Sequence, residues 1–143
     1  VYDHYSKKST FYRDKVKLNP YAKDILLWLK NNYFKTAIVT SKDLKRSKQL
    51  TEMFDLKIDL LITPELTRKG KPNPEPLFLA AKNLSVNLSE SIFIGDMSSD
   101  MKCAEQAGCL YLHYLMGYQK LIKTSYGGNI SSLKEIKEFI INF

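Results

Sequence analysis

Cysteine is scarce in this chain of 143 residues. There are two, Cys103 and Cys109, and they form no Cys-x-x-Cys pair. A disulfide framework is therefore excluded, and reduced thiols in cytoplasm are expected. Long hydrophobic runs are missing as well. The longest are far too short to span a membrane, and no apolar signal segment follows a basic start. Internal repeats and low-complexity tracts are also lacking. A basic stripe interleaved with aromatics is not found, although the formal charge is +7. The lysines are scattered, and Lys, Asn and Ile are abundant throughout. The charge thus reads as background composition, or as attraction for an anionic small substrate, and not as a nucleic-acid surface.

What is present suffices for one domain with a real core. Residues 1–18 are polar and aromatic and read as a helix ending in a short linker. Asn19-Pro20 then has the form of a helix N-cap and first helical position. Ala22, Ile25, Leu26, Trp28 and Leu29 give the helix a broad apolar face, with Trp28 expected in the core. Lys35 to Thr40 is an apolar, β-branched strand, followed by a helix with Leu44, Leu50, Met53 and Phe54 on one side. A second strand covers Ile58 to Ile62. Pro64, Gly70, Pro72 and Pro74 mark residues 63–74 as a loop. Pro76 to Leu84 is a helix, 91–95 a strand, and the next helix runs to Ala107, stopped by Gly108. Leu110 to Leu115 is the fourth strand. Gly117, Gly127 and Gly128 punctuate a long loop, and Ser132 with Glu135 has capping-box spacing before a last helix. Alternating strands and helices predict an α/β fold, a doubly wound, Rossmann-like parallel sheet with helices on both faces.

The stretch that organises the rest is Ser91 to Asp100. An apolar run ends at Gly95, where the backbone turns, and two aspartates follow four residues apart. Open α/β sheets bind ligands at the C-terminal ends of their strands. Asp96 and Asp100 are paired carboxylates there, of the kind hard cations such as Mg2+ take. The plainer alternative is an acidic loop capping a helix that Ser98 or Ser99 opens. Thr40 and Ser41 sit where a strand enters a helix, so they offer either a helix cap or hydroxyl and N–H donors for an anion. Lys71, between Gly70 and Pro72-Asn73-Pro74, is either a solvated surface residue or a positioned charge for a phosphate.

In this order, the three pieces resemble the haloacid dehalogenase (HAD) superfamily, in its phosphoglycolate phosphatase-like branch. Ala37 to Lys42 resembles the family's second motif, Gly70 to Pro76 its third, and Ile92 to Asp100 its fourth. The Met116-Gly117-Tyr118 loop fits as well. The resemblance covers residues 19–143 and implies an HAD-like core with a Mg2+-dependent phosphatase activity on a small phosphorylated metabolite. Thr40, with Ser41, would bind the phosphoryl group. Lys71 would offset its charge. Asp96 would hold Mg2+, with Asp100 as ligand or supporting group. The family's first motif, a strand ending in Asp-x-Asp, supplies its nucleophile. No Asp-x-Asp occurs in this chain, Asp3-His4-Tyr5 being the nearest pattern. Residues 1–18 resemble the last helix and return linker of the family's helical cap. The first strand and most of the cap are therefore expected to lie upstream, or to come from another chain, and the chain alone is expected to be inactive.

Three other classes compete, of which nucleic-acid binding rests on charge alone and would show as a salt-sensitive shift with duplex or single strands. A non-catalytic HAD-like module binding phosphate or a partner would have no upstream Asp-x-Asp. A receiver-type signalling domain also uses Asp, Thr and Lys, but places its acidic pair early, opposite to the order here. No role is expected for Cys103, His4 or His113 beyond a structural or surface one.

Overall fold

The computed structural model describes residues 17–115, 124 and 127–142. In chain order its elements are α1 (Ala22–Asn31), β1 (Ala37–Val39), α2 (Leu44–Met53), β2 (Leu60–Ile62), α3 (Glu75–Leu84), β3 (Ile92–Gly95), α4 (Ser98–Ala107), β4 (Leu110–Tyr114), β5 (Gly127–Ile130) and α5 (Glu135–Asn142). Short 3-10 turns sit at Pro64–Leu66 and Leu88–Glu90. The remnant of a cap expected over residues 1–18, and the loop at Gly117, fall almost wholly outside the described residues.

Every strand pairing among the described residues is parallel. β4 is the middle of its sheet, and its side chains show why helices must lie on both faces. Tyr111 and Leu112 are adjacent, so they point to opposite faces, yet both are fully buried. On one face Tyr111 meets Leu77 of α3, Cys103 and Ala104 of α4, and Cys109. On the other Leu112 meets Ile25 of α1, Ile130 of β5 and Ile136 of α5. Burying one side chain of this size stabilises the fold by roughly 1.5–3 kcal/mol. Trp28 is half-buried at the rim of the second cluster and stacks on Phe34, with 6.0 Å between ring centroids.

The sheet is in two pieces. β1 pairs with β2, and β3–β4–β5 form the other piece. Among the described residues nothing pairs with the second edge of β1 or of β3. The fifth strand is a correction to the expected loop at Gly127 and Gly128. Gly127 takes φ 145°, and a Cβ there would overlap the Tyr111 carbonyl. Close approach to β4 thus demands a glycine, which from sequence reads as a turn.

Three helix starts also differ from expectation. Asn19-Pro20 does not open α1. Tyr21 takes a left-handed φ of 67° and α1 begins at Ala22, whose N–H donates to the Asn19 carbonyl at 3.2 Å. Neither Ser98 nor Ser99 caps α4. Both lie in its first turn, and the Asp100 carboxylate accepts the N–H groups of Asp96 and Met97 instead. At α5 half of the capping box forms. Glu135 Oε2 accepts from the N–H of Ser132 at 2.8 Å and of Ser131 at 2.7 Å, while the Ser132 hydroxyl takes the N–H of Lys134. No described helix is long and apolar enough to cross a membrane.

Both cysteines are free and buried. Cys103 Sγ donates to the Asn73 carbonyl and Cys109 Sγ to the Ser91 carbonyl, each at 3.2 Å. Burial pushes both thiols up to about 11. Since the thiolate is the nucleophile, iodoacetamide should label the native protein very slowly at pH 7.5. Labelling should quicken as pH rises toward that value, and at once in denaturing urea. Rapid labelling of either native thiol at pH 7.5, followed by mass spectrometry, would contradict this burial.

Candidate active site

Thr40 follows β1 directly, and Asp96 follows β3. Both stand at C-terminal strand ends, and the loop before α3 carries Lys71 to the same place. Thr40, Ser41, Lys71, Asp96 and Asp100, all expected at a site, line one open cleft of about 390 Å³. Lys42, Arg46, Met97 and Ser99 complete its walls.

The lysine is not a solvated surface residue. Its Nζ lies 2.6 Å from Asp100 Oδ1, and both side chains are largely buried. It also donates to the Val39 carbonyl at 3.4 Å and sits 5.7 Å from the centroid of the Phe93 ring. Lys71 thus stands between the end of β1 and the face of β3. The loop that delivers it is tied down on each side. Asn73 N–H donates to the Gly70 carbonyl, and Asn73 Oδ1 accepts the Glu75 N–H, both at 3.0 Å. Glu75 reaches back to accept the N–H groups of Lys69 at 2.7 Å and Arg68 at 3.2 Å. Those two bonds, the Lys69 one first, hold its carboxyl below the usual carboxylate range.

Asp100 serves two masters. Its Oδ2 accepts from the N–H groups of Asp96 and Met97, each at 3.1 Å, and its Oδ1 faces the lysine. Gly95 is what permits this: a Cβ at that position would run into the Asp100 carboxylate. The Gly-Asp-x-x-x-Asp spacing therefore encodes an interlock. The strand end must be bare so that the first turn of α4 can fold its carboxylate against it.

Thr40 is held by two bonds of its own. Its N–H donates to the Ile62 carbonyl and its Oγ1 accepts the Lys42 N–H, both at 3.0 Å. The hydroxyl hydrogen is what this arrangement offers to an oxygen in the cleft. Ser41 is exposed at the rim.

Sequence reasoning missed Arg46, which is buried in the cleft wall and pairs with Asp43 at 3.0 Å. Asp43, the N-cap of α2, also accepts the Arg46 N–H. An Asp three residues before an Arg at a helix start was the available signal. Glu75 was missed too, although Asn73-Pro74-Glu75 has the look of a helix opening.

Among the described residues no three His, Cys, Asp or Glu side chains gather as a ready-made metal cage. Asp100 has both oxygens engaged, which leaves Asp96 as the carboxylate of the cleft. One carboxylate, with water and phosphate oxygens, is a donor set Mg2+ accepts. The residues present fit that ion through Asp96, with Asp100 as support.

A family model described as haloacid dehalogenase-like hydrolase matches residues 1–113. A protein of Caldanaerobacter subterraneus, named as a candidate pyrophosphatase, PpaX, is 34% identical over 111 residues, covering 76% of this chain and 49% of the relative. The phosphoglycolate phosphatase of Salmonella paratyphi A is 30% identical over 103 residues, 71% of this chain and 41% of its own. The chain thus spans about half, or less, of the curated relatives it matches. A solved HAD-superfamily hydrolase from Ehrlichia chaffeensis is similar at TM-score 0.75 and 28% identity, covering 95% of this chain and 68% of that one.

A buried ion pair broken on one side leaves an uncompensated charge. Asp100→Asn would also aim an amide N–H at the Lys71 ammonium. We expect it to lower stability in urea melts by about 3 kcal/mol, and Lys71→Met in the same chain to recover most of that loss. A loss of about 1 kcal/mol or less, the size of an exposed pair, would show that the pair does not hold the site together.

Proposed function

This chain belongs to the haloacid dehalogenase-like hydrolases, and on that premise we propose that it forms the phosphate- and Mg2+-holding part of a phosphatase for a small phosphorylated metabolite. The observation that carries the reading is the convergence of Thr40, Lys71 and Asp96 on one cleft at the strands' C-terminal ends. Phosphoryl transfer is catalysed largely by positioning and by charge placed in advance. Thr40 would donate its hydroxyl hydrogen to a phosphoryl oxygen, joined by Ser41 at the rim. Lys71, already oriented by Asp100 and the Val39 carbonyl, would offset negative charge without having to reorganise. Asp96 would hold the cation, which when bound draws charge from phosphoryl oxygens.

The nucleophile is the part this chain lacks in sequence, since it holds no Asp-x-Asp. The resemblance places that motif at the end of a strand, and the edges of β1 and β3 that nothing pairs among the described residues offer a strand two partners. Each buried N–H or C=O left without one costs roughly 1–3 kcal/mol, so a pairing strand there would add much stability. We propose that a strand ending in Asp-x-Asp fills this place, from the same gene product or from another chain. Asp3 lies outside the described residues. The buried, free thiols suit a reducing compartment such as the cytoplasm. A binding module without catalysis is the second reading, favoured by the missing Asp-x-Asp.

Turnover of p-nitrophenyl phosphate with Mg2+ separates the two. Residues 1–143 alone should be inactive or aggregated, and a chain completed with the Asp-x-Asp strand should be monodisperse and active. Mg2+ should bind residues 1–143 weakly, at about the millimolar level of the poorer oxygen-ligand sites, and Asp96→Asn should abolish that binding. Activity of residues 1–143 by themselves would move the nucleophile into this chain, with Asp3→Asn as the variant that checks it. A completed chain that binds phosphate but turns nothing over would establish the binding module.

A further inference from the structure

Beneath the Asp96 loop lies a polar pair that the reading above does not use. Tyr111 and His113 are two apart on β4, hence on one face of the sheet, and both are buried. The phenol oxygen is 2.8 Å from His113 Nδ1 and 3.4 Å from the Met97 carbonyl oxygen. His113 is in register with Gly95, the last residue of β3. The Met97 residue is thus held at both ends, its N–H by the Asp100 carboxylate and its carbonyl by the N–H groups of Asp100 at 3.0 Å and Met101 at 3.3 Å, with the Tyr111 phenol beside them.

We infer that Tyr111, backed by His113, is a positioning residue that holds the Asp96–Met97 turn in place. The inference fixes the hydrogens: the phenol hydrogen points to the Met97 carbonyl, which can only accept, and the phenol oxygen accepts in turn from a hydrogen on Nδ1 of His113. Burial, and then the charges of Asp100 and Asp96, push the Tyr111 phenol well above its ordinary value, so the hydrogen stays on the oxygen. Packing alone does not account for the hydroxyl. Phenylalanine would fill the same space beside Phe93, whose ring lies 6.3 Å away, and a buried hydroxyl is unfavourable unless it is bonded. The functional value of the grip rests on the reading of Asp96 as the cation-holding carboxylate.

Three measurements on the full-length protein test it. Long-range 1H–15N spectra should show a hydrogen on Nδ1 of His113; an Nδ1 without one would overturn the inference, because the phenol hydrogen would then point away from Met97. In Tyr111→Phe, amide exchange should quicken at Asp96 and Met97 while β5 and α5 keep their protection. Unchanged exchange at the two amides, or a loss spread evenly over the molecule, would overturn it in favour of a core role. Titration with Mg2+ alone should give a Kd raised roughly tenfold in this variant, the lower end for outer partners of a metal site; an unchanged Kd would count against the inference. If the unaltered protein binds no Mg2+, it is the assignment of Asp96 that fails, and the first two measurements still decide whether Tyr111 holds the turn.

Discussion

The Lys71–Asp100 pair is the constraint on which the site depends. Two charges taken from water each carry a desolvation penalty of several kcal/mol. Here that penalty is met by pairing and by hydrogen bonds to the remaining oxygen. The consequence is geometric. Three segments distant in sequence, the end of β1, the loop before α3 and the β3–α4 turn, meet at one ammonium group. None of the three could move without uncovering a charge. Gly95 belongs to the same device, since any side chain there would displace the carboxylate. A site built this way has its positive charge in place before a ligand arrives, and that is the form of electrostatic help that needs no reorganisation.

Much of this was legible from sequence because it is local. The strand from Ile92 to Gly95, the stop at Gly108 and the alternation of strands and helices follow from short-range pattern. So does the placing of Thr40 and Asp96 at strand ends, once the sheet is taken as parallel; the place of Lys71 beside them is what the resemblance implies. What escaped was long-range. Nothing near Gly127 in the chain says that its missing Cβ makes room for the Tyr111 carbonyl, so β5 read as a loop. The spacing of Asp100 from Asp96 is local and reads as ligand or support for a cation, whereas its pairing with Lys71, 29 positions away, was not legible. Tyr111 read only as part of the fourth strand, and His113 as a structural or surface residue, because the Met97 carbonyl that the phenol reaches is distant in sequence, at the start of α4.

Charge in the cleft follows the same logic. Lys42, Arg46 and Lys71 line it against Asp96 and Asp100, and Arg46 already has a carboxylate in Asp43 and Lys71 one in Asp100. The excess positive charge of the chain therefore matters less to the site than the orientation of the charges it keeps. A net charge of +7 draws anions from a distance. It does not tell one anion from another; under the proposed function, the hydroxyl of Thr40 and the fixed ammonium of Lys71 would supply the directions that do.

The split in the sheet and the cleft are one feature seen twice. Parallel strands place their C-terminal ends on a common edge, and ligands bind where neighbouring strands part. Here β1 and β3 part far enough that neither pairs with the other, and the residues at their ends line the same opening. Lys71 bridges the opening from above, touching the Val39 carbonyl of one strand and the Phe93 ring of the other. A strand entering between them would find hydrogen-bonding edges on both sides. Whatever side chains stood at its own C-terminal end would then arrive among Thr40, Lys71 and Asp96. Under the proposed function, the strand that completed the sheet would complete the site as well. The stability of the fold and the chemistry of the cleft should accordingly rise and fall together.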